Sequence, residues 1–118
     1  MTSNPKPWGI RMPWAPFTGE RAVSGSTGVY EISDAEGHSL YIGAAGARDL
    51  FGLKGCIGAH ASDPEATQYR YEVTSAYLSR WMELLGRYQQ EHGRPPPLNR
   101  SEETPSLPRF SPATNAAE

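Results

Sequence analysis

Apolar and polar positions follow two different periods along the middle of the chain. Gly28-Val29-Tyr30-Glu31-Ile32 is rich in β-branched and aromatic residues and predicts a strand. Asp34-Ala35-Glu36-Gly37 is turn chemistry, and Leu40-Tyr41-Ile42 returns as the second strand of a hairpin. Tyr69, Tyr71 and Val73 alternate with Arg70 and Glu72, the period of a half-buried strand. Leu50, Leu53 and Ile57 recur at helical spacing over Arg48–Ala61, a helix weakened by Gly52, Gly55 and Gly58. A stronger helix is expected over Thr74–His92, capped by Thr74 or Ser75 and ended by Gly93. Its wide apolar face is Tyr77, Leu78, Trp81, Met82, Leu84, Leu85 and Tyr88. The order β-β-α-β-α predicts a small α/β domain of the α+β type. Its three-stranded antiparallel sheet is flanked by helices.

Proline placement divides the chain. Only Pro64 lies between residues 26 and 94, whereas prolines are frequent on both sides. The expected organisation is an N-terminal arm over residues 1–25, a folded domain over 26–99 and a tail over 100–118. The tail is rich in Ser, Thr, Glu and Pro, a composition that predicts disorder. Trp8, Trp14 and Phe17 give the arm apolar groups that could pack on the domain or stack on a partner. A core of about 74 residues has little stability in reserve, which favours a packed arm.

Charge narrows the functional classes. The 118 residues carry 11 Lys plus Arg and 13 Asp plus Glu, a formal net charge of −2. The bulk basic character that drives non-specific DNA binding is therefore missing. No apolar run approaches the ~20 residues of a membrane span, and the N-terminus lacks the pattern of a secretory signal. Cys56 is alone and can form no internal disulfide. These features predict a reduced, cytoplasmic protein without membrane contact.

Candidate chemistry lies on the hairpin. Gly28-Val29-Tyr30 opens the first strand and Tyr41-Ile42-Gly43 closes the second, with ten residues between the two tyrosines. Downstream come His60, Glu83 on the long helix, and Pro97-Leu98-Asn99. This set resembles the GIY-YIG nuclease family, whose name-giving tripeptides lie on adjacent antiparallel strands. The resemblance covers residues 28–99. It implies a metal-dependent endonuclease that hydrolyses DNA phosphodiester bonds. Glu83 would hold Mg²⁺ or Mn²⁺, and Tyr30 would assist proton removal from the attacking water. Tyr41 would hydrogen-bond the phosphate or the water, and His60 would relay a proton or contact phosphate. Gly43 and Asn99 would belong to the substrate-binding surface.

The sequence departs from that family at one point. The family's phosphate-clamping arginine on the first helix falls on Cys56, counting back one turn from His60. A neutral thiol does not replace a guanidinium. Lys54 and Arg48 are the remaining candidates for the catalytic cation. Ordinary roles compete for each residue: strand tyrosines with wet hydroxyls, a solvated charge cluster of Glu83 with Arg80 and Arg87, a small packed thiol at Cys56. Two functions therefore stand side by side, an active endonuclease and a degenerate module of the same fold that binds nucleic acid or a protein without cleaving.

Overall fold

A computed structural model describes residues 7–17 and 23–99. The expected disorder of residues 100–118 falls outside them. The elements run β1 (Ala15–Pro16), β2 (Gly28–Ser33), β3 (Ser39–Ala45), α1 (Gly52–Gly58), β4 (Gln68–Val73) and α2 (Tyr77–His92). The strands form one antiparallel sheet in the order β1-β4-β2-β3. The mixed α+β class agrees with the sequence, but the sheet has four strands rather than three. The extra strand, β1, is two residues long and contains a proline. It carries no alternating pattern, and proline is tolerated there because the strand sits at the sheet edge.

The hairpin of β2 and β3 is paired from Gly28↔Ala45 through Ile32↔Tyr41. Paired residues share a face and alternate residues point to opposite faces. The pattern therefore sorts every side chain of the hairpin into one of two layers. Tyr30, Ile32 and Ala45 point to one side, where they meet Leu53 and Ile57 of α1 with Tyr69 and Ala15. Val29 and Ile42 point to the other, where they meet Trp81, Leu84 and Leu85 of α2 with Ile10. The sheet is a wall between α1 and α2.

Both helices differ from expectation at their ends. α1 starts at Gly52 rather than residue 48, because Phe51 before it takes a left-handed conformation (φ 66°). α2 starts at Tyr77 with Ala76 as its cap, and the Thr74 hydroxyl accepts the Ala76 N–H instead of capping the helix. Gly93 ends α2 with a φ of 78°, as expected. Leu78, assigned to the apolar face, is exposed. Among the described residues, no helix is long and apolar enough to cross a membrane.

The arm belongs to the sheet. β1 pairs with β4 (Ala15↔Tyr69, Pro16↔Gln68), Ile10 is fully buried, and Arg70 lies 4.1 Å above the Trp14 ring. Arg80 fastens the arm to α2. Its Nε and Nη2 donate to the two Glu72 carboxylate oxygens at 2.9 and 3.0 Å. Nη1 donates to Glu83 Oε1 at 3.0 Å and to the Trp8 carbonyl at 2.9 Å. Nη2 also reaches the Gly9 carbonyl at 3.3 Å. A planar guanidinium suits such a cage, which an ammonium could not fill.

At the other side of the sheet, Asn99 closes the free edge of β3. Its Oδ1 accepts the Ile42 N–H and its Nδ2 donates to the Ile42 carbonyl, both at 2.9 Å. The Trp81 indole N–H donates to that same carbonyl at 2.9 Å, and the Leu98 N–H donates to the Leu40 carbonyl. Asn99→Ala leaves the Ile42 N–H buried without this partner. We expect a loss of about 2 kcal/mol, read as a lower urea midpoint at unchanged slope.

Candidate active site

The hairpin brings three sequence-selected side chains together on the α1 face. Tyr30 comes from β2, Tyr41 from β3, and His60 from the turn that follows α1. The Tyr41 and His60 ring centroids are 4.5 Å apart, and each of those rings lies 5.9 Å from Tyr30. His60 lies beyond the Ala59 cap of α1 rather than inside the helix, and its N–H donates to the Ile57 carbonyl.

Gly43 has a steric reason to be there. A Cβ on it would come within 2.5 Å of Tyr30 Cζ, 2.6 Å of its hydroxyl and 2.7 Å of Tyr41 Cε2. The glycine is the floor on which both tyrosine rings lie. Gly28 plays the matching role at the other tripeptide, where a Cβ would come within 2.1 Å of the Glu72 carbonyl oxygen and 2.9 Å of Leu53 Cδ1. The two tripeptides thus have packing reasons for both glycines and for their apolar middle residues, which enter the α2 core.

Burial separates the two tyrosines. Tyr30 is only 4% exposed, while Tyr41 and His60 are half-buried. Burial, then the neighbouring Tyr41, push the Tyr30 phenol far above its usual titration range. Tyr30 therefore keeps its proton at neutral pH. The phenol packs beside Tyr41, and burial disfavours the phenolate that proton removal from water would need. The sign for stability follows. A phenol that resists ionisation when folded but ionises near pH ~10 when unfolded stabilises the fold fully below that value. Stability is expected to fall as pH rises above ~10, and Tyr30→Phe should flatten that fall in alkaline unfolding curves.

Two further groups line this face. Cys56 packs against the same cluster. Burial, then the adjacent Asp49, push its thiol up, so it is neither a cation nor a ready nucleophile. Asp63, which the sequence reading did not select, lies with its Oδ2 2.8 Å from His60 Nδ1. An i,i+3 His/Asp spacing in a segment of reverse turns was its only sequence signal.

Glu83, Arg48 and Asn99 lie elsewhere, and Lys54 stands exposed on α1. Glu83 is on α2, across the sheet from the tyrosines. It is held by Arg80 and lines a cavity of about 430 Å³ with Trp8, Arg11 and Tyr71. Arg48 is exposed and lines a separate cavity with Tyr77, Leu78 and Trp81. Lys54 is exposed on α1, and its side chain makes no hydrogen bond or ion pair among the described residues. Asn99 has both polar side-chain atoms on Ile42. The periodic pattern of α2 marks which residues are polar but not which layer they serve.

The Mg²⁺ or Mn²⁺ expectation can be tested against this donor set. Glu83 does not fit it: one carboxylate already paired with a guanidinium, in a different layer from Tyr41 and His60. Among the described residues, the one group of three close ligand atoms is Asp34, Glu36 and His38 in the β2–β3 turn. There Asp34 Oδ1 already accepts the N–H groups of Glu36 and His38, and Oδ2 lies 3.1 Å from His38 Nδ1. Those backbone bonds hold the Asp34 carboxyl below its usual range.

The profile of one family matches residues 9–91, from the arm through nearly all of α2. The chain belongs to DUF7508, a domain of unknown function. Its match begins inside the arm, in keeping with an arm that completes the sheet. No curated protein and no solved structure matches the chain.

Proposed function

We propose that the α1 face of the sheet binds and hydrolyses a phosphodiester of DNA, with Tyr41 and His60 as the groups that meet the substrate. One observation carries this reading. Two strands and the turn after α1 deliver Tyr30, Tyr41 and His60 to one spot, over a glycine whose Cβ would strike both tyrosine rings. The GIY-YIG-like tripeptides and the hairpin register that joins them support the same assignment. Tyr41 would donate to a phosphate oxygen, Tyr30 would hold Tyr41 in place, and His60 would handle the proton of the attacking water.

Magnesium at Glu83 is not carried into this proposal, because that carboxylate serves the arm. A second reading draws on the same fact and on Cys56. With a thiol where the resembling family has its arginine, the face would bind nucleic acid without cleaving it. The test uses the full chain with single-stranded, double-stranded and branched DNA at low salt, with Mg²⁺ and with chelator. Low salt matters because a net charge of −2 gives little electrostatic attraction. Cleavage that falls in Tyr41→Phe supports the hydrolytic reading. Binding that falls in Tyr41→Phe, with no cleavage, supports the binding module. Neither binding nor cleavage overturns both.

A further inference from the structure

We infer that His60 is the proton acceptor of this site and that Asp63 positions it, so that the acid–base chemistry rests on a His–Asp pair rather than on a tyrosine. The inference rests on the phosphodiester reading above. The geometry is direct. His60 Nδ1 lies 2.8 Å from Asp63 Oδ2, and the side chains are 17% and 35% exposed. The backbone locks the pair: the Asp63 N–H donates to the His60 carbonyl at 3.0 Å, and the His60 N–H donates to the Ile57 carbonyl at 3.0 Å.

An ionised carboxylate only accepts hydrogen bonds. The proton of a neutral His60 ring is therefore held on Nδ1, and the lone pair is left on Nε2. That ring lies against Tyr41, the accessible tyrosine. Base, orienting carboxylate and phenol donor thus meet within one face, which is the pattern of an activated-water site.

The other candidate acceptors are engaged or placed elsewhere: Asp49 Oδ2 accepts the Gly46 N–H at 2.6 Å. Tyr30 is buried and keeps its proton. Cys56 is held as a neutral thiol by burial and by Asp49. Glu83 lies across the sheet. In the step assigned here, a water oxygen attacks phosphorus and gives one proton to His60 Nε2. The bond from phosphorus to the leaving ester oxygen breaks, and its electron pair stays on that oxygen, which takes a proton from solvent. The imidazolium then returns its proton to solvent, leaving an alcohol and a phosphomonoester.

Asp63 is a positioning residue, so its test needs a readout that general loss of structure would not give. The full chain labelled with ¹⁵N-histidine reports the ring tautomer by long-range ¹⁵N–¹H spectra, alongside cleavage of the DNA probe that the wild type prefers. The expected wild-type spectrum has the His60 proton on Nδ1. Asp63→Asn, whose amide can donate to Nδ1, should move it to Nε2. The same variant should lower kcat on the order of 10²-fold or more with KM nearly unchanged. Asp63→Glu should restore part of both, and Glu65→Gln, an exposed carboxylate two residues on, should change neither. An unmoved tautomer or an undiminished kcat in Asp63→Asn overturns the inference. Wild-type protein that cleaves no probe overturns the phosphodiester reading and the base role with it. The tautomer result then decides by itself whether Asp63 orients His60.

Discussion

Arg80→Met should lower the melting temperature by roughly 10–15 °C, a loss of about 3 kcal/mol. The side chain is 17% exposed and serves two carboxylates and two carbonyls at once. Methionine keeps the apolar stem and removes every donor. Glu72 and Glu83 then lose the guanidinium they share, and the carbonyls of Trp8 and Gly9 lose their partner. The arm is the element that comes loose, because Arg80 links it to α2. Arg80→Lys keeps the charge but not the planar fork, so it should recover only part of the loss. Faster amide exchange should be concentrated at residues 8–12 and along β4. A melting temperature unchanged in Arg80→Met would show that the arm is held by Ile10 and β1 alone.

His60→Ala should remove most of the hydrolytic rate, on the order of 10²–10⁴-fold, with the fold intact. An unchanged far-UV spectrum and melting temperature are the check that the fold is kept. The ring is 17% exposed and packs on Tyr41, outside the helix and the strands. Its loss leaves Tyr41 and Asp63 in place but takes away the acceptor between water and solvent. Substrate binding should change little, since Tyr41 remains to meet the phosphate. The signature is thus a fall in kcat at similar KM. A proportional rise in KM instead would assign His60 to phosphate binding alone.

The hairpin was legible in the sequence because β-branched and aromatic content, a turn of Asp34 and Gly37, and two tripeptides at fixed spacing all point the same way. Residue types there are forced by local sterics: Gly43 by the tyrosine rings, Gly28 by β4 and Leu53. β1 was not legible, since two residues cannot show a period and Pro16 argues against a strand. The start of α1 was misplaced because Phe51 adopts a left-handed conformation that propensity assigns to glycine. Arg80 looked like half of an ordinary i,i+3 pair with Glu83. Its decisive partners, the carbonyls of Trp8 and Gly9, lie more than 70 positions away in sequence. Glu83 was read as a metal ligand from its order along the chain, which says nothing of the sheet between it and Tyr30. Asp63 went unselected because its role depends on a turn that closes only in the folded chain.

The central claim is that chemistry belongs to the Tyr41–His60 face and not to Glu83. The most direct measurement is the initial rate of DNA cleavage by wild type, His60→Ala and Glu83→Gln, in one assay at one salt concentration. The account predicts that Glu83→Gln keeps the wild-type rate while His60→Ala falls to background. Loss of cleavage in Glu83→Gln with cleavage retained in His60→Ala would contradict it.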